Sequence, residues 1–383
     1  VSGPVLRHLQ ARLLDALGDT AVVCLAGASR TGKTELVRAL QAALPAAACL
    51  RFDDPDTRAR ATGDPAGFLA GLPGLALLDD ADRVPGLLAL LRAAVDRGGR
   101  FLLTCAGPLP GLAESLAWRM ETLILWPLAQ AELQGVHPGL IDACFQGQPE
   151  RLRLEPLERR ELLERLLAGG YAEVQGRSAQ AREAWFHGYL DALVQARLRV
   201  ATDLRDGHQL TRLLAAPAAD PGPARRCQDL LESCHVLAAL PSGSGTPYRC
   251  CNDAALQAHL LGMVPAALET RPVLAAPLLE TFAVMELVKT APWSQARPAL
   301  SVLRSGAQLL VVLEDHRRNL VAFAVDASAT VQPEAFQGLR ELRAKAGDRF
   351  RAGLVLHAGE ALRGAGPGLW AAPFQALWAA RAM

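Results

Sequence analysis

The stretch Gly27-Ala28-Ser29-Arg30-Thr31-Gly32-Lys33-Thr34 matches the pattern G-x-x-x-x-G-K-[ST], a spacing whose chemistry is the grip of a phosphate chain. Backbone N–H groups of such a loop, and of a helix starting at its end, point at an anion. Gly27 and Gly32 would permit positive φ and close phosphate approach. The Lys33 ammonium would reach the β- and γ-phosphates of a nucleotide. The Thr34 hydroxyl would serve Mg²⁺, an ion that keeps several waters and takes few protein oxygens. A second signal is the apolar run Leu75-Ala76-Leu77-Leu78, which ends directly in Asp79-Asp80. The strand tip would place Asp79 beside the metal through water. Asp80 occupies a position where many nucleotide hydrolases carry Glu to orient the attacking water; its other reading is a solvated acid capping the next turn. Asp is one methylene shorter, and water positioning depends on sub-ångström placement, so slow hydrolysis is expected. Thr104 stands where a polar sensor of the γ-phosphate would stand.

These side chains need strands that end at them. Ala21–Ala26 reads as a buried strand before the loop, and residues 35–44 place Leu36, Val37, Leu40 and Leu44 on one helical face after it. Further strands are expected at 48–52, closed by Pro55, and at 75–78, 101–104 and 122–125. Helices are expected at 86–97 and 112–120, and a helical stripe at 4–18 is expected to pack on the sheet edge. Five strands alternating with helices imply an open parallel sheet with nucleotide at the strands' carboxyl ends. The expected cofactors are ATP and Mg²⁺.

At 383 residues the chain is too long for one typical core, so two or three domains are expected. A net charge of +1 argues against a protein coated in basic charge for nucleic acid. The eight cysteines show no CxxC pair and read as reduced core thiols. No run approaches the roughly 18 apolar residues of a membrane span, and the N-terminus lacks a signal-peptide pattern, so a cytoplasmic protein is expected. Because the chain opens on Val1, its natural start is expected to lie elsewhere or to use another initiation codon.

The loop, residues 50–55 (LRFDDP), 64–69 (DPAGFL), 77–79 (LLD), 83–85 (RVP), 100–104 (RFLLT), 114–119 (ESLAWR) and 126–128 (WPL) follow one another in an order that resembles a known family. It is that of the prokaryotic AAA-type P-loop ATPases joined to a C-terminal domain of unknown function with a nuclease-like, PD-D/E-x-K fold. Weaker matches at 169–173, 184–190, 248–262, 280–287 and 325–331 extend the resemblance over nearly the whole chain. It implies an α/β P-loop domain at 1–126, a helical lid at 127–204, a truncated winged-helix remnant at 205–245 and a mixed α/β restriction-endonuclease-like domain at 246–383. Within the lid, the interleaved arginines and glutamates of 146–167 read as a self-paired solvated face. A helix over 184–198 would turn Trp185, Tyr189, Leu193 and Ala196 inward. Strands at 309–313, 320–325 and 352–356, flanked by helices at 277–289 and 332–346, would build the last domain.

Departures from the family carry equal information. The family has Asp-Glu at Asp79-Asp80, Thr-Gly-Ser at Thr104-Cys105-Ala106 and Gly at Trp118. Arg119 is retained as a candidate γ-phosphate-sensing arginine, in cis or in trans, or as an arginine paired with a surface carboxylate. The resemblance puts the recognition helix of a winged helix at the Pro-rich connection 217–223, so sequence-specific DNA reading is expected to be lost. It puts the nuclease motifs E-V-D at Gln308-Leu309-Leu310 and E-V-K at Ala324-Val325-Asp326, which removes the metal oxygens and the lysine. Glu280, Glu286, Glu314 and Asp315 are the remaining acids nearby. The expectation is an ATP-binding protein, a slow ATPase used as a nucleotide-dependent switch, whose inactive nuclease-like domain docks an unidentified protein. The alternative is a non-hydrolysing, ATP-stabilised scaffold. No membrane partner is expected, and oligomerisation is left open.

Overall fold

Uninterrupted apolar runs buried on both faces are the signature of parallel strands covered by helices, and the first part of the chain is built this way. The structure is a computed structural model that describes residues 5–380 except 108, 110, 200, 201, 216–221, 264–266, 269, 270 and 307. The chain divides into two compact units: residues through Pro127 together with Ser233–Val236, and Leu128–Glu232 together with 237–383.

In the first unit, helix α1 (Leu9–Asp19) precedes β1 (Val22–Ala26), α2 (Lys33–Ala43), β2 (Ala48–Arg51), α3 (Pro55–Gly63) and α4 (Pro65–Ala70). Then come β3 (Leu75–Asp79), α5 (Pro85–Leu88), α6 (Leu91–Asp96), β4 (Arg100–Cys105), α7 (Leu112–Leu116) and β5 (Met120–Ile124). All five strands are parallel, in the order β2-β3-β4-β1-β5. Interior strand β1 is buried throughout, whereas the edge strands β2 and β5 are only partly covered. Leu78, Leu87, Leu91, Phe101 and Leu103 fill one face of the sheet. Each such side chain contributes about 1.5–3 kcal/mol on burial. Asp54 and Asp64 cap α3 and α4 through Thr57 N and Gly67 N, each ahead of a proline at the helix start.

Several boundaries differ from the sequence expectation. The first helix begins at Leu9 rather than at 4, and Leu6 is 69% exposed. The helix expected over 86–97 is two short ones, although Leu87, Leu88, Leu91 and Val95 are buried as the period requires. The fifth strand starts two residues early, at Met120.

The second unit opens with α8 (Gln130–Leu133), α9 (Leu140–Phe145), α10 (Arg159–Ala168) and α11 (Ala179–Leu193). On α10 the charges pair with one another, Arg160 with Glu164 and Arg165 with Glu161. Helix α11 starts five residues earlier than expected because Ser178 accepts from Ala181 N. It buries Phe186, Tyr189, Leu190 and Leu193, leaving Trp185 half-buried and Ala196 exposed. Helices α12 (Gly207–Ala215) and α13 (Gly222–Ser233) lead to the antiparallel hairpin of β6 (Leu237–Leu240) and β7 (Tyr248–Cys251). The boundary expected at 245/246 falls inside this hairpin. Most of the connection expected at 217–223 lies outside the described residues. The C-terminal sheet has six strands in the order β12-β13-β11-β10-β9-β8. Beside the three expected strands, β9 (Gln308–Glu314), β10 (Leu320–Asp326) and β11 (Phe350–His357), it holds β8 (Ala299–Ser305), β12 (Arg363–Gly366) and β13 (Leu369–Pro373). Pairing is parallel for β10 with β11 and for β11 with β13, and antiparallel elsewhere, so the sheet is mixed.

Candidate functional site

Strand β1 delivers the chain to the loop, and each feature of the loop has a local cause. Gly27 N donates to Cys105 O, and a Cβ on Gly27 would lie 2.4 Å from Leu125 O, so no side chain fits there. Gly27 is therefore required by close packing rather than by positive φ. Gly32 does take φ +93°, as does Arg30 with φ 68°, which the sequence did not suggest. The Gly32 turn starts α2 at Lys33, and its carbonyl accepts from Leu36 N. Thr31 Oγ1 donates to Ala28 O across the loop. Arg7, also missed from sequence, is buried and donates to Thr31 O at 2.7 Å and Trp126 O at 2.8 Å, joining the loop to the end of β5.

Lys33 is 6% exposed, and its Nζ donates to Gly27 O at 2.7 Å and Ala28 O at 2.9 Å. Burial pushes its pKa below the ordinary lysine value, opposed by the negative charges of Asp80, Asp82 and Asp79. A buried cation whose bonded oxygens are neutral carbonyls suits an anion that brings its own charge, which is what a nucleotide's phosphates supply.

The carboxyl ends of β3 and β4 bring the acids together. Thr104, fully buried, donates through Oγ1 to Asp79 Oδ1 at 2.5 Å and accepts from Asp80 N at 2.8 Å. Its only hydroxyl proton is thus directed at Asp79, and Thr104 fixes the acid pair from within the sheet. Asp79 is 3% exposed. Its second carboxylate oxygen and the half-buried Thr34 hydroxyl are the hard oxygen donors expected for Mg²⁺. When bound, that ion would supply charge neutralisation at the phosphates. Asp80 takes φ 59°, in the left-handed region that Asp tolerates better than most residues, and its carboxylate accepts from Arg83 Nε at 3.0 Å. Burial and the neighbouring Asp79 raise the Asp80 pKa, with Arg83 opposing. Arg83 was legible as an i+3 partner.

Arg119 is not brought to this site. Met120 pairs with Val22, the first residue of β1, whereas the loop follows the last, Ala26. Arg119 therefore sits at the amino ends of the strands, where it donates to Asp96 at 2.6 Å. This is the surface pairing named as its alternative, and it rules against sensing in cis.

The acids near the expected nuclease motifs have other partners. Glu280 accepts from Tyr248, and Glu314 pairs with Arg318. Asp315 accepts from Arg317 N, Asn319 N and Asn319 Nδ2. Glu286, 1% exposed, accepts from Gln130 N at 2.8 Å and from Lys289 Nζ at 3.0 Å.

Residues 19–134 match the family model described as an AAA domain, and residues 276–377 match the one described as a domain of unknown function, DUF4143. The first unit therefore carries an AAA-type domain, which supports a nucleotide-binding, ATPase-like function. Uncharacterized proteins of Mycobacterium bovis and Mycobacterium tuberculosis are each 42% identical over 125 residues, covering 31% of this chain. The chain spans only 28% of the length of these curated relatives. A solved structure from Pyrococcus horikoshii, a Signal Transduction ATPase with Numerous Domains protein with a tetratricopeptide repeat sensor, aligns over 76% of this chain and 48% of its own at 12% identity. Its TM-score of 0.25 carries no argument. No described helix is long and apolar enough to cross a membrane.

Proposed function

We propose that this chain binds ATP with Mg²⁺ at Gly27–Thr34 and Asp79, turns it over slowly, and uses the nucleotide state as a switch. The observation that carries this reading is Lys33, a buried ammonium held on two loop carbonyls beside a preorganised acid pair. Slow turnover is favoured by Asp80, whose carboxylate is short and already bonded to Arg83. The same bond favours the second reading, a scaffold that holds ATP without hydrolysing it. In either reading the C-terminal sheet, a restriction-endonuclease-like body without the metal oxygens of that chemistry, docks a partner protein. Lys33→Ala should weaken binding of a fluorescent ATP analogue by about 100-fold or more, as loss of charge-assisted bonds to phosphate requires. Equal affinity in the variant would sink the assignment. Phosphate release by the unmodified protein at several per second, within the ordinary range of roughly 1–10³ s⁻¹, would exclude slow turnover.

A further inference from the structure

Three histidines from three helices of the second unit line one cavity of about 750 Å³. They are His187 on α11, His208 on α12 and His259 on α14 (Ala254–Leu260). The sequence scatters them, and local contacts collect them. Along α11, Glu183, His187 and Asp191 follow at four-residue intervals and so share one face. Asp191 Oδ2 lies 3.4 Å from His187 Nε2, and its Oδ1 accepts from Gly207 N at 2.7 Å, which fastens the start of α12 to that face. Gly207 is needed there, because a Cβ would lie 2.8 Å from Leu190 Cβ. The next residue, His208, thereby meets His187 with ring centroids 4.5 Å apart. His259 stacks on Phe186, with centroids 5.8 Å apart.

Much of the remaining wall is apolar and includes Phe186, Leu190 and Met263. Its other charged groups are Arg182 and Glu183, one of each sign, and α10 contributes only Leu167. Arg182 already donates to Arg177 O. None of the described residues hydrogen-bonds the ring nitrogens of His208 or His259. Among the described residues no group of three or more His, Cys, Asp and Glu side chains is arranged to hold a metal ion, so the imidazoles are left as hydrogen-bonding groups. The volume falls within the roughly 300–1,000 Å³ of small-molecule sites, which combine apolar walls with a few convergent polar groups. Burial lowers the His259 pKa below the ordinary histidine value, opposed by Glu183 and reinforced by His187 and His208. An anion in the cavity reverses that balance. It favours imidazolium, and a proton taken up on binding makes that binding tighter toward acid pH.

We propose that this cavity binds an aromatic carboxylate, its ring among the apolar side chains and its carboxylate on the imidazoles of His187, His208 and His259. Apolar walls accept a flat apolar body, and imidazoles that can each gain a proton accept its negative charge. Because the three residues come from three helices, an occupant ties α11, α12 and α14 together. The site lies wholly in the second unit, so it does not rest on the nucleotide reading.

The test uses the full chain and two probes that differ in charge, a naphthalene carboxylate and the matching carboxamide, titrated by calorimetry from about pH 8 to about pH 6. Carboxylate affinity should rise about tenfold across this range, with proton uptake seen as a heat that changes with the buffer's ionisation enthalpy. Carboxamide affinity should stay within about twofold. A double variant, His208→Gln with His259→Gln, should lose the rise and keep carboxamide binding, which reports an intact cavity. His208→Gln alone, at an exposed position, should lose part of the rise and serves where the double variant does not fold. Failure of the carboxylate to bind, a flat profile in the unmodified protein, or an unchanged rise in either variant would overturn the proposal. So would loss of both probes in His208→Gln, which would make that histidine a structural part of the wall.

Discussion

Lys33 in the first unit and Lys289 in the second are almost equally buried, at 6% and 7% exposed, yet their surroundings are opposite. Lys33 donates to two neutral carbonyls, Gly27 O and Ala28 O. Lys289 donates to the Glu286 carboxylate at 3.0 Å and to Leu128 O at 3.1 Å, and Glu286 also accepts from Gln130 N. One cation is left for a ligand to neutralise; the other is neutralised by the fold. Charge type and burial alone therefore do not mark a site. What marks it is a charge that the protein's own carboxylates do not bond.

The largest expected effect breaks the comparison on its structural side. Lys289→Met leaves Glu286 buried without its cation and should cost about 3–5 kcal/mol of the second unit's stability in urea unfolding. Adding Glu286→Leu should recover most of it, because an apolar pair has no desolvation cost. Lys33→Met should leave stability unchanged or raised while nucleotide binding is lost. If both lysine variants lost stability alike, the contrast between the two sites would be wrong.

A middle-sized effect sharpens the ligand-facing side. Thr104→Val removes the donor to Asp79 and the acceptor of Asp80 N, leaving a buried carboxylate and a backbone N–H short of partners. It should cost about 1–3 kcal/mol and weaken the Mg²⁺ dependence of ATP affinity, with Thr104→Ser restoring both. A valine variant as Mg²⁺-dependent as the original would show that Thr104 does not position the acids.

Much of the phosphate loop was legible because its determinants are local: two glycines, a lysine, and strands whose apolar runs end at Ala26 and Leu78. Arg7 was not legible, since it depends on a contact with Trp126 across 119 residues of sequence. Strand β8 was missed because only one of its seven residues is buried, and β12 because Arg363–Gly366 is half glycine, so neither shows an apolar alternation. The placement of Arg119 could have been read. A residue preceding a parallel strand lies at its amino end, away from a nucleotide at the carboxyl ends.

Smaller still is the pH effect at Asp80, whose side chain keeps 26% of its surface. Burial and Asp79 raise its pKa above the ordinary value of 3.8, so the folded protein holds this proton more tightly than the unfolded chain does. The stabilisation is fully present below the ordinary value and is lost as pH rises through the folded one. Asp80→Asn should therefore flatten the rise in unfolding free energy seen as pH is lowered from neutrality toward 4, measured by urea unfolding. A variant whose pH profile parallels the original would remove Asp80 as the group responsible.

The smallest effect in dilute solution is expected at Arg119. Its ion pair with Asp96 leaves the two side chains 31% and 55% exposed, and a pair so open to solvent is worth under about 1 kcal/mol. Because Arg119 lies at the sheet end opposite the loop, Arg119→Ala should leave ATP affinity unchanged at concentrations where the protein is monomeric. Beside it Trp118 is 86% exposed, so an association that covered this surface would bury a large aromatic together with a cation. Turnover measured across a concentration series separates the remaining roles. An arginine that reaches a neighbouring molecule's nucleotide makes turnover per molecule rise with concentration in the original protein and not in Arg119→Ala. An arginine that serves only Asp96 gives two superimposable, flat curves. Loss of ATP affinity in the dilute variant would contradict both and require Arg119 to act on its own chain's nucleotide, against the register of β1 with β5.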